Sequence, residues 1–260
     1  MRVRVRYGKQ GRLRFVSAID LGRLWERALR RADLPIAYSE GFSPHPKVSF
    51  TDALPLGYAS TGEYAELTFA GPVDLEAAIG SLNEAFCALT AGRAGPALMA
   101  GRAGPALTAG RAGWEGVAVL QAVAVTEGDP RLAKWLRASC WDLDYAGGTA
   151  PADAVAAARE ADALPVERQR KGDPVTVDLR PALHQISASD DRVRVTLHHV
   201  EPQVRPTETD LALRRFRPDL PEPRLVTRVA QGRPVDEGLS EALSGELVEP
   251  LHPIPRRQPT

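Results

Sequence analysis

The chain has 260 residues, 43% of them hydrophobic and 25% charged, and its 33 Lys and Arg are balanced by 33 Asp and Glu. That is the composition of a soluble globular protein, long enough for one large domain or two of ordinary size. The two cysteines, Cys87 and Cys140, lie far apart without C-x-x-C spacing, which argues against a disulfide framework, a zinc site or a cluster-binding loop. No apolar run of signal-peptide or membrane-span length is present, so the sequence reads as a reduced, cytoplasmic protein with no membrane partner.

Neutrality hides an asymmetry. The first fifty residues hold eleven Lys or Arg against four acids, an excess of seven that the rest of the chain must cancel. A segment charged in this way points to an anionic partner. Residues 2–7, RVRVRY, alternate strictly, with Val3, Val5 and Tyr7 on one face and Arg2, Arg4 and Arg6 on the other. The pattern predicts a half-buried strand with a basic outer face. A turn at residues 8–11 follows, and Arg12 to Phe15 resumes the alternation. Ser17 is placed to cap a helix whose apolar residues Leu21, Leu24, Trp25, Ala28 and Leu29 recur at helical spacing, with Arg23, Arg27, Arg30 and Arg31 mostly off that stripe. The GFSPHP segment, residues 41–46, cannot be regular structure, because each proline restricts the residue before it. Strands at 48–50 and 65–69 and a helix at 74–82, capped by Asp74, complete a first α+β module of the ferredoxin-like type over residues 1–87.

Three near-identical nine-residue copies then follow, ALTAGRAGP, ALMAGRAGP and ALTAGRAGW, spanning residues 88–114. The period is too short for a solenoid unit, and the segment reads as a low-complexity insertion. Beyond it, strands at 117–125, 141–145, 175–179 and 192–198 and helices at 129–138, 151–161 and 207–216 are expected, a second ferredoxin-like-type α+β module over 115–216. Residues 217–260 carry eight prolines and read as a largely irregular tail, with one helix expected near 238–247.

Two regions could carry chemistry. The first is basic: Arg2, Arg4, Arg6, Lys9, Arg12 and Arg14 on one strand pair, with Lys47 near and no acid among them, an arrangement suited to phosphate groups of nucleic acid. His45, held between prolines beside Lys47, Ser43 and Ser49, reads either as a general acid–base or phosphate-contacting imidazole or as a turn histidine bonded to the backbone. The second region is the run Arg168, Arg170 and Lys171, expected at a hairpin or loop tip, followed by Asp178 and Arg180, which two-residue spacing places on one strand face as an ion pair or a ligand clamp. Phosphate-binding G-x-x-x-x-G-K-[ST], G-x-S-x-G and H-E-x-x-H motifs do not occur.

The string from Arg2 to Phe50, ending in GFSPHPKVSF, resembles the opening of the bacterial radical SAM-linked family, a domain of unknown function. VERQRKG (166–172) and VDLRP (177–181) resemble its second block, and the resemblance covers residues 1–87 and 114–216. Members are encoded beside, or fused behind, a radical SAM protein with a B12-binding-like region, and often near a ribonuclease of the E/G type. The chain departs from the pattern at Ala18, where the family has histidine, and at the nonapeptide repeat, which replaces a short connection. Lacking a C-x-x-x-C-x-x-C motif, the chain itself would carry no cofactor. The resemblance implies an accessory partner of a radical SAM enzyme that presents RNA or a ribonucleoprotein such as the ribosome. Two alternatives stay open: an RNA-processing or RNA-modifying enzyme using His45, and a protein–protein adaptor without nucleic-acid contact.

Overall fold

In the computed structural model, the described residues are 1–90, 116–146, 151–170 and 172–251, and they divide into two units, Met1–Trp135 and Leu136–Thr260. The chain is mixed α+β, with few helices and mostly antiparallel strand pairing. The nonapeptide copies, apart from residues 88–90, lie outside the described residues.

The first unit runs β1 (Arg2–Gln10), α1 (Ala18–Arg31), β2 (Val48–Phe50), β3 (Ala59–Thr68), α2 (Leu75–Thr90), β4 (Gly116–Ala124) and the single turn α3 (Leu132–Trp135). Its strands pair in the order β4-β1-β3-β2. The alternating apolar residues of β1 set the core: Val3, Val5 and Tyr7 meet Leu24, Trp25 and Leu29 of α1 and Leu82 and Phe86 of α2. Trp25 packs edge-on against Tyr7 and Phe86, with ring centroids 5.1 and 4.9 Å apart. Both anticipated helix caps are present. Ser17 Oγ accepts from Asp20 N at 3.1 Å, and Asp74 Oδ1 accepts from Glu76 N and Ala77 N at 2.9 and 3.2 Å.

Two expectations for this unit are corrected. Residues 12–15 do not resume a strand; Gly11, at a φ of +60°, turns the chain into a 3-10 helix over Gly11–Phe15. The strand at 116–124, expected in the second module, pairs with β1 and belongs to the first unit.

The second unit runs β5 (Ala138–Asp144), α4 (Ala152–Glu160), the hairpin β6 (Pro165–Arg170) and β7 (Asp173–Asp178), β8 (Leu183–Ser189), β9 (Arg192–His198), α5 (Pro206–Arg214), β10 (Leu225–Val235), β11 (Gly238–Glu241) and β12 (Leu247–Val248). Here the strand order is β10-β5-β9-β8, with β11 on β10 and β12 on β11. Setting aside the β6-β7 hairpin, this is the connectivity of the first unit again: strand, helix, two strands, helix, and a last strand inserted beside the first.

The expected irregular tail is the largest correction. Residues 225–248 are three strands, and β10 pairs with β5 along residues 225–232. The prolines at 218, 221 and 223 precede that strand and Pro250 follows β12, while Pro234 lies within β10 near its end, opposite Leu239 of β11. The helix expected near 238–247 is replaced by β11 and the turn into β12.

Candidate functional site

The strand arginines do not form an exposed basic face. Arg4 is 1% exposed: its Nε meets Glu66 Oε2 of β3 at 3.1 Å, its Nη2 donates to the Pro130 carbonyl, and its guanidinium lies 4.6 Å from the Trp135 ring centroid. Arg6 is 8% exposed and donates from Nε to the Thr61 carbonyl at 2.8 Å. Lys9 is 1% exposed, donates to the Val16 carbonyl at 2.8 Å and is drawn toward Glu63; burial holds its pKa below the usual lysine range. Of the cations on β1, Arg2 is the exposed one, and it pairs with Glu66 at 3.1 Å. The chain from Thr126 to Trp135, with α3, supplies the carbonyl and ring that enclose Arg4. Alternation therefore records two buried faces, one apolar and one built from satisfied cations. The absence of acids within the run was misleading, because the acids stand on β3.

Exposed positive charge is carried instead by α1 and the loop after it. Trp25, Leu24 and Leu29 turn inward, and the helical period places Arg23, Arg27, Arg30 and Arg31 outward. Arg23 pairs with Asp20 at 3.5 Å and Arg30 with Glu26 at 3.3 Å. Arg12, Arg27, Arg31 and Lys47 are exposed and make no ion pair among the described residues. Arg23 and Arg27 line a groove of about 740 Å³ together with Leu13, Phe15, Leu24 and Glu26. Arg14 lies over the Phe15 ring, 4.5 Å from its centroid.

The GFSPHP loop stands beside this face on a fixed base. Ser39 N donates to the His45 carbonyl at 2.8 Å, His45 N donates to Ser39 Oγ at 3.0 Å, and Lys47 N donates to the Ala37 carbonyl at 2.8 Å. Gly41, at a φ of +126°, lets the tip turn over, and Phe42 at that tip is fully exposed. The His45 side chain is 68% exposed with Nδ1 3.7 Å from Glu26 Oε1, so the loop and α1 meet at one carboxylate that Arg30 also holds. An imidazole beside a carboxylate can accept and pass a proton, and an exposed ring with cations nearby can hold a base and its phosphates.

In the second unit the basic hairpin is present as β6 and β7. Lys171 lies outside the described residues, and the Arg170 side chain does too. Arg168 is tied down, donating to the Gln203 carbonyl at 2.9 Å and pairing with Glu208 at 3.3 Å at the start of α5. Asp178 and Arg180 do not share a strand face, because β7 ends at Asp178 and Arg180 opens a 3-10 turn. Asp178 Oδ1 accepts from Leu164 N and Arg180 N at 2.7 and 3.0 Å, while Arg180 Nη1 reaches the carbonyls of Ala158 and Arg159 at 3.4 and 3.3 Å.

His198 and His199 go separate ways, the first against the His184 ring at 5.0 Å and the second bonded to Ser139 Oγ at 2.7 Å and the Leu136 carbonyl at 2.8 Å. Among the described residues no cluster of His, Cys, Asp and Glu is arranged to hold a metal, and no helix is long and apolar enough to cross a membrane.

The sequence places Arg27 and Arg31 off the apolar stripe of α1 but assigns neither them nor Phe42 to a site. The signal for the arginines was present in their i, i+4 spacing off the apolar stripe; Phe42 carried none beyond its place between Gly41 and Ser43. Comparison with curated proteins finds no match. Residues 2–89 and 111–207 match a bacterial protein family described as uncharacterized and conserved in bacteria, DUF2344, and the matched ranges take in the whole α1 and GFSPHP face and most of the second unit. The chain belongs to that family.

Proposed function

We propose that this protein is an accessory partner of a radical SAM enzyme, and that it binds RNA or a ribonucleoprotein through the α1 face and the GFSPHP loop of its first unit. The observation that carries the RNA reading is the set of uncompensated cations, Arg12, Arg27, Arg31 and Lys47, gathered on one helix, its preceding turn and its following loop. Surfaces normally intersperse charges of both signs, and an unneutralised group favours an anionic ligand. The radical SAM partner rests on the family resemblance of GFSPHPKVSF, VERQRKG and VDLRP. A ferredoxin-like reading of each unit is part of the same proposal, supported by the β4-β1-β3-β2 and β10-β5-β9-β8 strand orders.

Salt titration tests it. Affinity of the whole chain for a short RNA should fall steeply as salt rises, with a log–log slope set by the phosphates neutralised. Arg27→Gln, Arg31→Gln and Lys47→Gln should each lower that slope by about 1 while leaving the melting temperature in place. Absence of binding at low salt, with capture of a radical SAM protein encoded nearby, would leave the adaptor reading.

The His45–Glu26 approach favours one second reading, an RNA-modifying or RNA-processing enzyme. RNA turnover by the isolated chain that falls about 10²–10⁴-fold in His45→Ala would establish it.

A further inference from the structure

In the second unit Arg180, which the sequence pairs with Asp178, lies instead beside Arg159, a residue that no motif singles out. Arg159, exposed in the last turn of α4, and Arg180, half-buried at the turn after β7, line an open surface cleft of about 210 Å³ with Leu183, His184, Gln185 and Ile186. Each guanidinium is anchored at one edge by backbone. Arg159 Nε donates to the Ile186 carbonyl at 2.8 Å, and Arg180 Nη1 to the carbonyls of Ala158 and Arg159. Carbonyls supply dipoles and orient the forks, but they do not neutralise charge.

No carboxylate pairs with either arginine among the described residues. The acids near them in sequence, Glu160 and Asp162, are exposed without an ion pair, and Asp178 spends Oδ1 on two backbone N–H groups. His184 Nε2 donates to the Val235 carbonyl at 2.8 Å, so the imidazole adds no negative charge to the wall. A guanidinium has five N–H donors in a fixed plane, and these two use only a few of them.

We propose that Arg159 and Arg180 form a binding site for a phosphate group. The volume lies below the roughly 300–1,000 Å³ of ordinary small-molecule pockets, which fits a compact anion rather than a whole nucleotide. A tetrahedral phosphate offers oxygens to both forks at once, and charge-assisted bonds of this kind are among the strongest available. The phosphate can come free from solution or as the 5′ end of an RNA strand. This site is independent of the α1 face.

The test uses the full chain and three probes: inorganic phosphate, a short oligoribonucleotide with a 5′-phosphate, and the same oligomer with a 5′-hydroxyl. Inorganic phosphate should bind, and Arg159→Gln should weaken it about tenfold or more, the scale of one charge-assisted hydrogen bond. Arg27→Gln should leave it unchanged. Tighter binding of the 5′-phosphorylated oligomer, lost in Arg159→Gln, identifies an RNA end as the source; equal binding of the two oligomers identifies free phosphate. Arg180 also holds the end of α4, so Arg180→Lys, which keeps the charge, is the second variant and should weaken phosphate less than Arg159→Gln does. The proposal is overturned if the wild-type chain binds neither inorganic phosphate nor the 5′-phosphate group, or if a folded Arg159→Gln binds phosphate as the wild type does.

Discussion

Lys9 shows at the scale of one residue why counting charge along a sequence misplaces a surface. Its neighbours Arg4 and Arg6 follow the same rule: each is enclosed, and each has a carbonyl or carboxylate that the local sequence does not contain. The desolvation of a buried cation is tolerable only while those partners remain, and removing one member of such a set leaves the other charge unpaired. Lys9→Ala should therefore destabilise the protein by about 1–3 kcal/mol in denaturant unfolding, because the partly buried Val16 carbonyl loses its charged donor. Lys9→Ala should leave the salt slope for RNA unchanged wherever the protein remains folded, since the ammonium faces Val16 and not solvent. A small stability effect with a flatter slope would instead return Lys9 to the surface. The partners on β3, Glu63 and Glu66, could not be assigned to β1 from sequence, because register between strands more than fifty residues apart leaves no local mark.

Elements whose own residues carry their signal were legible. Helix α1 was read from the Ser17 cap and five apolar positions, and its buried stripe is the one expected. The β6-β7 hairpin was legible only in part: the basic run left hairpin and loop both open, and the structure has the hairpin, with Gly172 at a φ of +96°. Strand β10 was not: its Arg228, Gln231 and Arg233 dilute the apolar pattern, and flanking prolines suggested a loose tail, yet Val226 and Ala230 are buried along β5. Strand β8 was missed for a related reason, since LHQISAS has little alternation and takes its order from β9. The β8-β9 pair also has a pH signature. Burial, and then the nearby His184, hold the His198 pKa below its ordinary 6.5. The unfolded chain then binds the proton more readily than the folded one, so this contribution to stability is complete above about pH 6.5 and declines as pH falls below it. Thermal unfolding between pH 7.5 and 5 should show that decline, and His198→Gln should flatten it; an unchanged curve would mean that the pair is solvated.

The same connectivity occurs in both units, and each carries ion pairs between its first strand and the strand beside it. In the first, Arg2 and Arg4 of β1 meet Glu66 of β3; in the second, the polarity is reversed, and Asp142 and Asp144 of β5 meet Arg194 and Arg192 of β9 at 2.7 Å each. The reversal explains why reading charge run by run found a basic first segment and an unremarkable second one. The break between α2 and β4 was the point at which module boundaries went astray, because three nonapeptide copies separate a strand from the unit it completes. The family match also stops at residue 89 and resumes at 111, so the unmatched stretch falls within those copies. A connection need only return the chain from the end of α2 to the start of β4, and the cost of closing a loop changes slowly with its length. Deleting residues 97–105, one copy, should therefore shift the melting temperature by no more than about 2–3 °C, a small change for a chain of this size. It should also leave RNA and phosphate binding as they are, since neither Arg27 nor Arg159 lies in the deleted segment. A drop of ten degrees or more would show that the repeat is packed against the first unit.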